Sequence, residues 1–263
     1  MSSNFHFWHH LTAPEIAELA GKSVVIIPIA STEQHGPHMP VGTDTILNDL
    51  IQRGLAENPP EKGTFIVLPT LALGCSEHHV PFNGTYTLPP ILYTQVLVAA
   101  ARSLIKQGHN RIFFLNSHGG NIPPMNTALA ELAPECTEQQ VLVGGASYWS
   151  LCGARWREEV PMKMPFMGHA CEIEASLCMV ARPDLKLRPL PEGAPYPGYL
   201  REGWGMAATF AAMTYQGHLG YPREASVEKG EALFKIAVEV LRKFFADFSE
   251  LPLTTDLRTL QQP

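Results

Sequence analysis

Acidic and histidine side chains recur at short intervals after the first apolar run of the chain. Glu33 and His35 are separated by one residue, and Asp44 opens the next segment with helical spacing. In extended backbone, residues i and i+2 point to the same side, so Glu33 and His35 can face one site. Asp44 can turn back toward them from the start of its helix. Carboxylate and imidazole ligands without thiolate suit Zn, Mn or Fe(II).

Polar side chains of the same types also follow later apolar runs. They are Ser76, Glu77, His78 and His79 after the second run, Asn116, Ser117, His118 and Asn121 after the third, and His169, Glu172 and Glu174 around the start of a later helix. His118 stands in a glycine-rich turn, which lets the backbone approach a ligand closely. Three carboxylates and two histidines suffice for two divalent ions that share a carboxylate and a water, the arrangement of metal-activated hydrolysis.

Each of these residues also has a structural interpretation. Asp44 is a favourable acid in the first turn of a helix, where it complements the helix dipole. His118 is also compatible with a structural turn, and Glu33 with an exposed loop. A shared site is the stronger hypothesis because all three follow strands that we expect to be neighbours.

The elements that must position these side chains are readable from the apolar pattern. Strands are predicted at 22–30, 64–68, 111–116 and 141–147, and helices at 44–55, 91–107, 124–133, 172–182 and 227–248. Residues 148–171 are predicted to be irregular, and 183–226 have no assignment. Strand–loop–helix repetition predicts an α/β fold, one domain over residues 1–263, with a mostly parallel sheet flanked by helices. Ligands of such folds bind at the carboxyl ends of the strands.

Composition excludes several classes of protein. The 263 residues are 45% hydrophobic and 17% charged, which is typical of a globular chain. A net charge of −6 argues against nucleic acid as a partner. The five cysteines include no CxxC pair, which argues against a disulfide framework and a thiolate zinc site. No uninterrupted apolar run is long enough to span a membrane, and no signal peptide is visible, so we expect a cytoplasmic protein without a membrane partner.

Several segments resemble the signature segments of one known family. The chain reads ASTEQHGPHMPVGTD at 30–44, NSHGGN at 116–121 and GHACEIEAS at 168–176, with HHVPFNGTYTL at 78–88 as a fourth segment. These segments resemble those of the creatininase (creatinine amidohydrolase) family, in the family's order and over most of the chain. The resemblance implies a creatininase-like metallohydrolase.

The resemblance also implies a set of metal ligands. Glu33, His35, Asp44 and His118 match the family's ligands, with Asp44 in the bridging position. Creatininase proper has a further glutamate two residues after the ligand histidine, where this chain has Gly120. Relatives with HGGN here use the glutamate of the HAGE segment, so the resemblance implies Glu172 as the fifth ligand. The implied cofactor is two divalent ions per chain, Zn, Mn or Fe.

Other matched positions carry expected roles in the reaction. His169 matches the histidine that acts as proton donor or base, a role that suits imidazole because its pKa lies near working pH. A structural role is its alternative. Ser76, Gly119 and Trp149 are expected near substrate. Hydrogen bonding within the loop is the alternative for Ser76, and core packing is the alternative for Trp149.

The implied activity is hydrolysis of the C–N bond of a small cyclic amide or formamide. The resemblance further suggests a homo-oligomer, a hexamer built as a trimer of dimers, that acts on a small-molecule substrate. Gly120 and Cys171 depart from the family pattern, and the second tryptophan that encloses substrate in creatininase has no clear match. Three further interpretations therefore stay open: action on a peptide, action on a lactone or cyclic ketone, and metal binding without catalysis.

Overall fold

A five-stranded parallel sheet lies at the centre of the structure, a computed structural model that describes residues 4–164, 166–185, 187–195 and 207–253. The strands are β1 (Phe5–Phe7), β2 (Val24–Ile29), β3 (Phe65–Val67), β4 (Arg111–Asn116) and β5 (Leu142–Ser147). They lie in the order β1-β3-β2-β4-β5, and every neighbouring pair is parallel. The predicted α/β fold is confirmed, and β1 is an edge strand that the sequence pattern did not reveal.

Helices cover both faces of this sheet. They are α1 (Ala13–Leu19), α2 (Thr43–Glu57), α3 (Pro90–Ile105), α4 (Ile122–Gln139), α5 (Tyr148–Glu159), α6 (Glu172–Ala181), α7 (Phe210–Met213) and α8 (Val227–Glu250). Val24 and Ile26 of β2 pack into a core with α2, α5, α6 and α8, whereas Val25 and Ile27 pack into a second core with α3 and α4. Burial on both faces explains why β2 is a continuous apolar run.

Helix α5 occupies a segment for which the sequence pattern predicts irregular structure. Its buried residues are Tyr148, Cys152 and Trp156, four residues apart, which is the spacing of one helical face. The indole N–H of Trp156 donates a hydrogen bond to the carbonyl of Leu233 in α8, 3.0 Å away. Trp149 lies beside this buried face, at the first turn of α5, where β5 ends.

The loops after β2, β3 and β4 meet at one edge of the sheet. Ile29 at the end of β2 is in register with Asn116 at the end of β4, so the segments that follow start side by side. The loop after β3 joins them where Gly74 passes Ala30, and a Cβ at Gly74 would lie 2.4 Å from the Ala30 carbonyl oxygen. Only glycine permits this approach. The predicted site residues are thus carried to a common edge.

No helix in the described part of the chain combines the length and apolarity that a membrane span requires.

Candidate metal centre

Four of the expected ligands lie together in a buried cluster at this edge. Glu33, His35, Asp44 and His118 are each at most 4% exposed. Three groups of three residues have ligand atoms that lie within 4.8 Å of one another. The first is Glu33, Asp44 and His118, the second is His35, Asp44 and Glu174, and the third is Glu33, His35 and His169. Asp44 belongs to the first two, hereafter the two ligand groups.

Asp44 occupies the middle of the cluster because α2 begins there. Its Oδ1 lies 3.3 Å from His35 Nε2, and its Oδ2 lies 3.2 Å from His118 Nδ1. His118 Nδ1 is also 3.1 Å from Glu33 Oε1. One carboxylate therefore faces two separate imidazoles, with one oxygen toward each.

The second nitrogen of each histidine ring is held by a backbone carbonyl. His35 donates from Nδ1 to the carbonyl of Glu33, 3.1 Å away, and His118 donates from Nε2 to the carbonyl of Cys75, 3.0 Å away. Metal-binding histidines characteristically donate their other N–H in this way, which fixes the ring and its tautomer. His35 Nε2 and His118 Nδ1 are thereby left to face the carboxylates.

The polar atoms at the centre of the cluster lack hydrogen bonds. Both carboxylate oxygens of Glu33, Oδ2 of Asp44 and Nε2 of His35 are buried and have no hydrogen-bond partner among the described residues. Buried polar atoms are nearly always paired, so a group of such atoms indicates a missing binding partner. Oxygen and imidazole donors fit Zn or Mn. The residues present therefore fit divalent ions at this place.

The charges of the cluster are strongly coupled. Burial disfavours a charged His35, but the surrounding carboxylates, first Asp44, outweigh burial and raise its pKa to about 9. Burial likewise opposes a charged His118, and Glu33 and Asp44 raise its pKa well above the ordinary value. Burial raises the pKa of Glu174 to about 7. The carboxylates thus favour positive charge on the two imidazoles, and divalent ions bound there would supply that charge instead.

Glu174, rather than Glu172, lies in the cluster. The Glu172 carboxylate accepts hydrogen bonds from the Lys163 amide at 3.1 Å and from Lys229 Nζ at 3.4 Å, and neither of its oxygens belongs to a ligand group. Glu174 is the third residue of α6, and its Oε2 accepts from the backbone N–H of Cys171 at 3.3 Å in a capping box. Its Oε1 faces His35 Nε2 at 3.9 Å. The structure therefore does not place Glu172 as expected, because the helix start turns the third residue back toward the site.

His169 stands at the open side of the cluster. Its Nε2 lies 2.8 Å from the backbone carbonyl of Gln34, and its Nδ1 lies 3.6 Å from Glu33 Oε1. Burial and the nearby histidines, first His35, lower the pKa of His169 well below its ordinary value. The ring is therefore neutral near pH 7, and one of its nitrogens carries a lone pair.

A cavity of about 350 Å³ opens onto these residues. Gly119 and Trp149 line it, as expected of residues near substrate. Ser76 does not line it. Its side chain is fully buried against the hydroxyl of Ser31, and its Oγ lies 3.1 Å from His118 Nε2. For Ser76 the geometry therefore supports hydrogen bonding behind the cluster rather than contact with substrate.

Two residues that line the cavity, Phe210 and His79, are not among the site residues predicted from the sequence. Phe210 begins α7, in the unassigned segment, and its ring lies 4.0 Å from that of His79 between centroids. His79 also lines the cavity, and its Nε2 lies 3.4 Å from Glu33 Oε1. The sequence alone favours packing within the loop or between subunits for His79. Its position among the polar residues after the second apolar run and its place in the fourth segment of the family resemblance are the signals that could have indicated a place at the site.

The structure combines a parallel α/β fold with a buried group of carboxylates and histidines at the carboxyl ends of the strands. This combination is that of a class of metal-binding proteins. The family model described as creatinine amidohydrolase matches residues 9–245. The chain belongs to the creatininase family and is therefore a hydrolase of that family.

Named relatives share much of the chain. It is 31% identical to the mycofactocin precursor peptide peptidase of Mycolicibacterium smegmatis over 80% of this chain and 79% of that protein. It is 26% identical to the creatinine amidohydrolase of Pseudomonas putida over 84% of this chain and 87% of that protein. A solved structure described as "Creatininase Mn" superposes with a TM-score of 0.75 at 22% identity, covering 93% of this chain and 99% of that one. This last likeness supports the fold.

Proposed function

We propose that the chain, as one catalytic domain, hydrolyses an amide C–N bond with water activated by two divalent metal ions. The observation that carries this proposal is Asp44, whose two carboxylate oxygens face His35 and His118 separately, one in each ligand group. Glu33 and His118 complete one group, and His35 and Glu174 complete the other. Bound there, divalent ions would lower the pKa of water and stabilise the oxyanion of the attacked carbonyl. The manganese of the creatininase structure named above and the oxygen and nitrogen donors favour Mn or Zn, with Fe(II) as a further choice.

The residues of the chain would then move the protons. Nδ1 of His169 is free of backbone hydrogen bonds and faces the cluster, so it can take a proton from the attacking water and pass it to the leaving nitrogen. The Gln34 carbonyl holds the opposite edge of the ring and keeps Nδ1 directed inward. Trp149 and Phe210 enclose the substrate and limit access of bulk water.

A small cyclic amide or a formamide is the first substrate class we propose. The cavity of about 350 Å³ lies at the small end of ordinary ligand sites, which suits a compact molecule. Aromatic walls favour a flat ring. Turnover should be measured on a panel of cyclic amides, formamides, short peptides and lactones with the Mn- and Zn-loaded protein. Hydrolysis of any amide supports the proposal. Hydrolysis of lactones alone would indicate a lactone hydrolase, and no turnover with two ions bound would indicate a metal-binding protein without catalysis.

A peptide is the second class, and a feature of the cavity favours it. A neighbouring cavity of about 330 Å³ shares Trp149 and Met167 with the first and extends along α5 to Arg157. A second cavity beside the first offers room beyond what a small ring needs, and the Arg157 guanidinium in its lining can pair with a carboxylate. The peptidase relative at 31% identity supports the same class.

The choice between Glu174 and Glu172 gives a direct prediction. Glu174→Gln should leave one ion per chain, because it removes a charged ligand from the group of His35 and Asp44. Glu172→Gln, the matched control two residues earlier, should retain both ions, because Glu172 pairs with Lys163 and Lys229 instead. Metal content of both variants by mass spectrometry checks this. Loss of an ion from Glu172→Gln alone would identify Glu172 as the ligand and exclude Glu174.

We also propose a homo-oligomer, with the hexamer as the family's expectation. Residues 78–101 contain no Lys, Arg, Asp or Glu. Five apolar residues of this segment are exposed and are hereafter called the uncharged surface: Val80, Tyr86, Ile91, Leu92 and Val96. A two-fold interface sets a patch against itself, which an uncharged apolar patch tolerates without like-charge repulsion.

Ile91→Glu should lower the molecular mass in solution. Ile91 is the most exposed residue of this surface at 78%, so the substitution spares the fold. Val227→Glu, an exposed apolar position on α8, is the matched control and should leave the mass unchanged. Light scattering after size-exclusion chromatography measures the molecular mass of both variants and of the wild-type protein. A monomeric wild-type protein, or an unchanged mass for Ile91→Glu, would contradict this interface.

A further inference from the structure

The buried side-chain amide of Gln34 lies between two histidines of the cavity, and its orientation is fixed. Its Oε1 accepts from the backbone N–H of Gly36 at 2.9 Å, and its Nε2 donates to the carbonyl of Gly217 at 2.8 Å. A backbone N–H only donates and a carbonyl only accepts, so the oxygen and nitrogen of this amide cannot be exchanged. One hydrogen of the Gln34 amide remains for a further partner.

That hydrogen must go to His79. His169 Nε2 lies 2.8 Å from the backbone carbonyl of Gln34, so this nitrogen carries a hydrogen and cannot accept another. Its 3.1 Å approach to Gln34 Nε2 is therefore a contact without a hydrogen bond. His79 Nδ1 lies 2.8 Å from the same Nε2 and is the remaining acceptor. Gln34 thus determines which nitrogen of each ring carries hydrogen.

The hydrogen positions on His79 and His169 determine what the Glu33 carboxylate faces. With Nδ1 of His79 accepting from Gln34, the neutral ring carries its hydrogen on Nε2, which faces Glu33 Oε1 at 3.4 Å. His169 Nδ1, at 3.6 Å from the same oxygen, presents a lone pair. Glu33 Oε1 therefore lies beside an N–H of one ring and a lone pair of the other, and it forms a hydrogen bond with neither ring in the structure. Contacts of this length commonly tighten when a site binds its ligand.

We propose that Gln34 and His79 are positioning residues, with Gln34 fixing the tautomer of His79 so that its Nε2–H orients the Glu33 carboxylate as a metal ligand. This role rests on the proposed metal centre. It gives His79 a function beyond packing in its loop. Outer partners of this kind typically change metal affinity by about 10–100-fold when removed.

Zinc affinity of the metal-free full-length protein, measured by competition with a chromophoric chelator, tests the role of His79. His79→Leu should weaken one of the two ions by about 10–100-fold and leave the other unchanged. His79→Gln keeps an N–H near the position of Nε2 and should bind both ions nearly as the wild type does. Rescue by glutamine separates the hydrogen bond from the loss of ring volume.

His109→Leu is the matched control, since His109 is also a buried histidine, 1% exposed, but lies before β4, at the opposite end of that strand from the cluster. It should leave both affinities unchanged. Equal loss in His109→Leu and His79→Leu, or wild-type affinity in His79→Leu, would overturn the proposal.

The tautomer of His79 can be measured directly in the metal-free protein. Nitrogen NMR of [15N]histidine-labelled metal-free protein should show a hydrogen on Nε2 and none on Nδ1 of His79, with the assignment made by its loss in His79→Gln. In Gln34→Glu the carboxylate only accepts, so the hydrogen should move to Nδ1. A wild-type ring with hydrogen on Nδ1 overturns the role of Gln34. Absence of zinc binding with the expected tautomer would instead contradict the proposed function.

Discussion

Asp44→Asn is expected to remove both metal ions and to abolish hydrolysis. Asp44 faces His35 with one oxygen and His118 with the other, and it belongs to both ligand groups. The amide keeps the shape of the side chain but loses the charge and one of the two acceptor oxygens. Metal activation contributes several kcal/mol, and each 1.4 kcal/mol is a factor of ten, so activity should fall by about 1,000-fold or more.

Asp49→Asn controls for a lost carboxylate on the same helix. Asp49 is exposed, and its Oδ1 accepts from the hydroxyl of Thr70 at 2.8 Å, away from the cluster. This variant should keep its metal and its activity. Metal analysis and turnover are measured side by side for both variants. Retention of two ions by Asp44→Asn would show that Asp44 is not the shared ligand.

His169→Ala is expected to lower kcat by about 100- to 10,000-fold with both ions retained. Its ring is neutral because burial and His35 lower its pKa, and its Nδ1 faces Glu33 without a backbone partner. Removing the ring removes proton transfer and leaves both ligand groups that contain Asp44 intact. KM should change far less than kcat. External imidazole should restore part of the activity by entering the space that the ring vacates.

His109→Ala controls for the loss of a buried histidine remote from the site. His109 is 1% exposed and lies before β4, at the opposite end of that strand from the cluster. Its substitution should leave kcat unchanged. Unaltered turnover in His169→Ala would contradict the proton-transfer role, and loss of metal in that variant would identify His169 as a ligand instead.

Much of the fold follows from the sequence because its central strands, β2 and β4, are buried on both faces. The apolar run at 22–30 contains β2, and the run at 111–116 coincides with β4. Helix α5 escapes prediction because its polar residues obscure a buried face that only three side chains form. Strand β1 has three residues and pairs only at the sheet edge, which leaves too short a pattern to detect.

Only some residues of the candidate site can be predicted from the sequence. Glu33, His35, Asp44 and His118 can be selected because each follows a predicted strand or opens the next helix. The choice between Glu172 and Glu174 depends on how far α6 has turned at each residue, which the segment pattern does not encode. In the structure a capping box at Cys171 holds the third helical residue, Glu174, beside the site.

Contacts between residues far apart in the chain account for the other features of the site that the sequence does not predict. Gln34 meets Gly217 and His169, residues far away in the chain, and both contacts depend on the loop after α7. Leu219 of that loop pairs with His169 through two backbone hydrogen bonds of 3.0 and 2.8 Å. The segment around them lacks a periodic pattern, so its place beside the site is evident only in three dimensions.

Metal content of the protein purified without chelator or affinity metal tests the central claim most directly. Mass spectrometry under native conditions should find two Zn, Mn or Fe ions per chain, in accord with two ligand groups that share Asp44. Adding a chelator should remove them together with amide hydrolysis, and returning the metal should restore both. A well-folded protein that carries one ion or none, and that gains no second ion when metal is supplied, would contradict the two-metal centre.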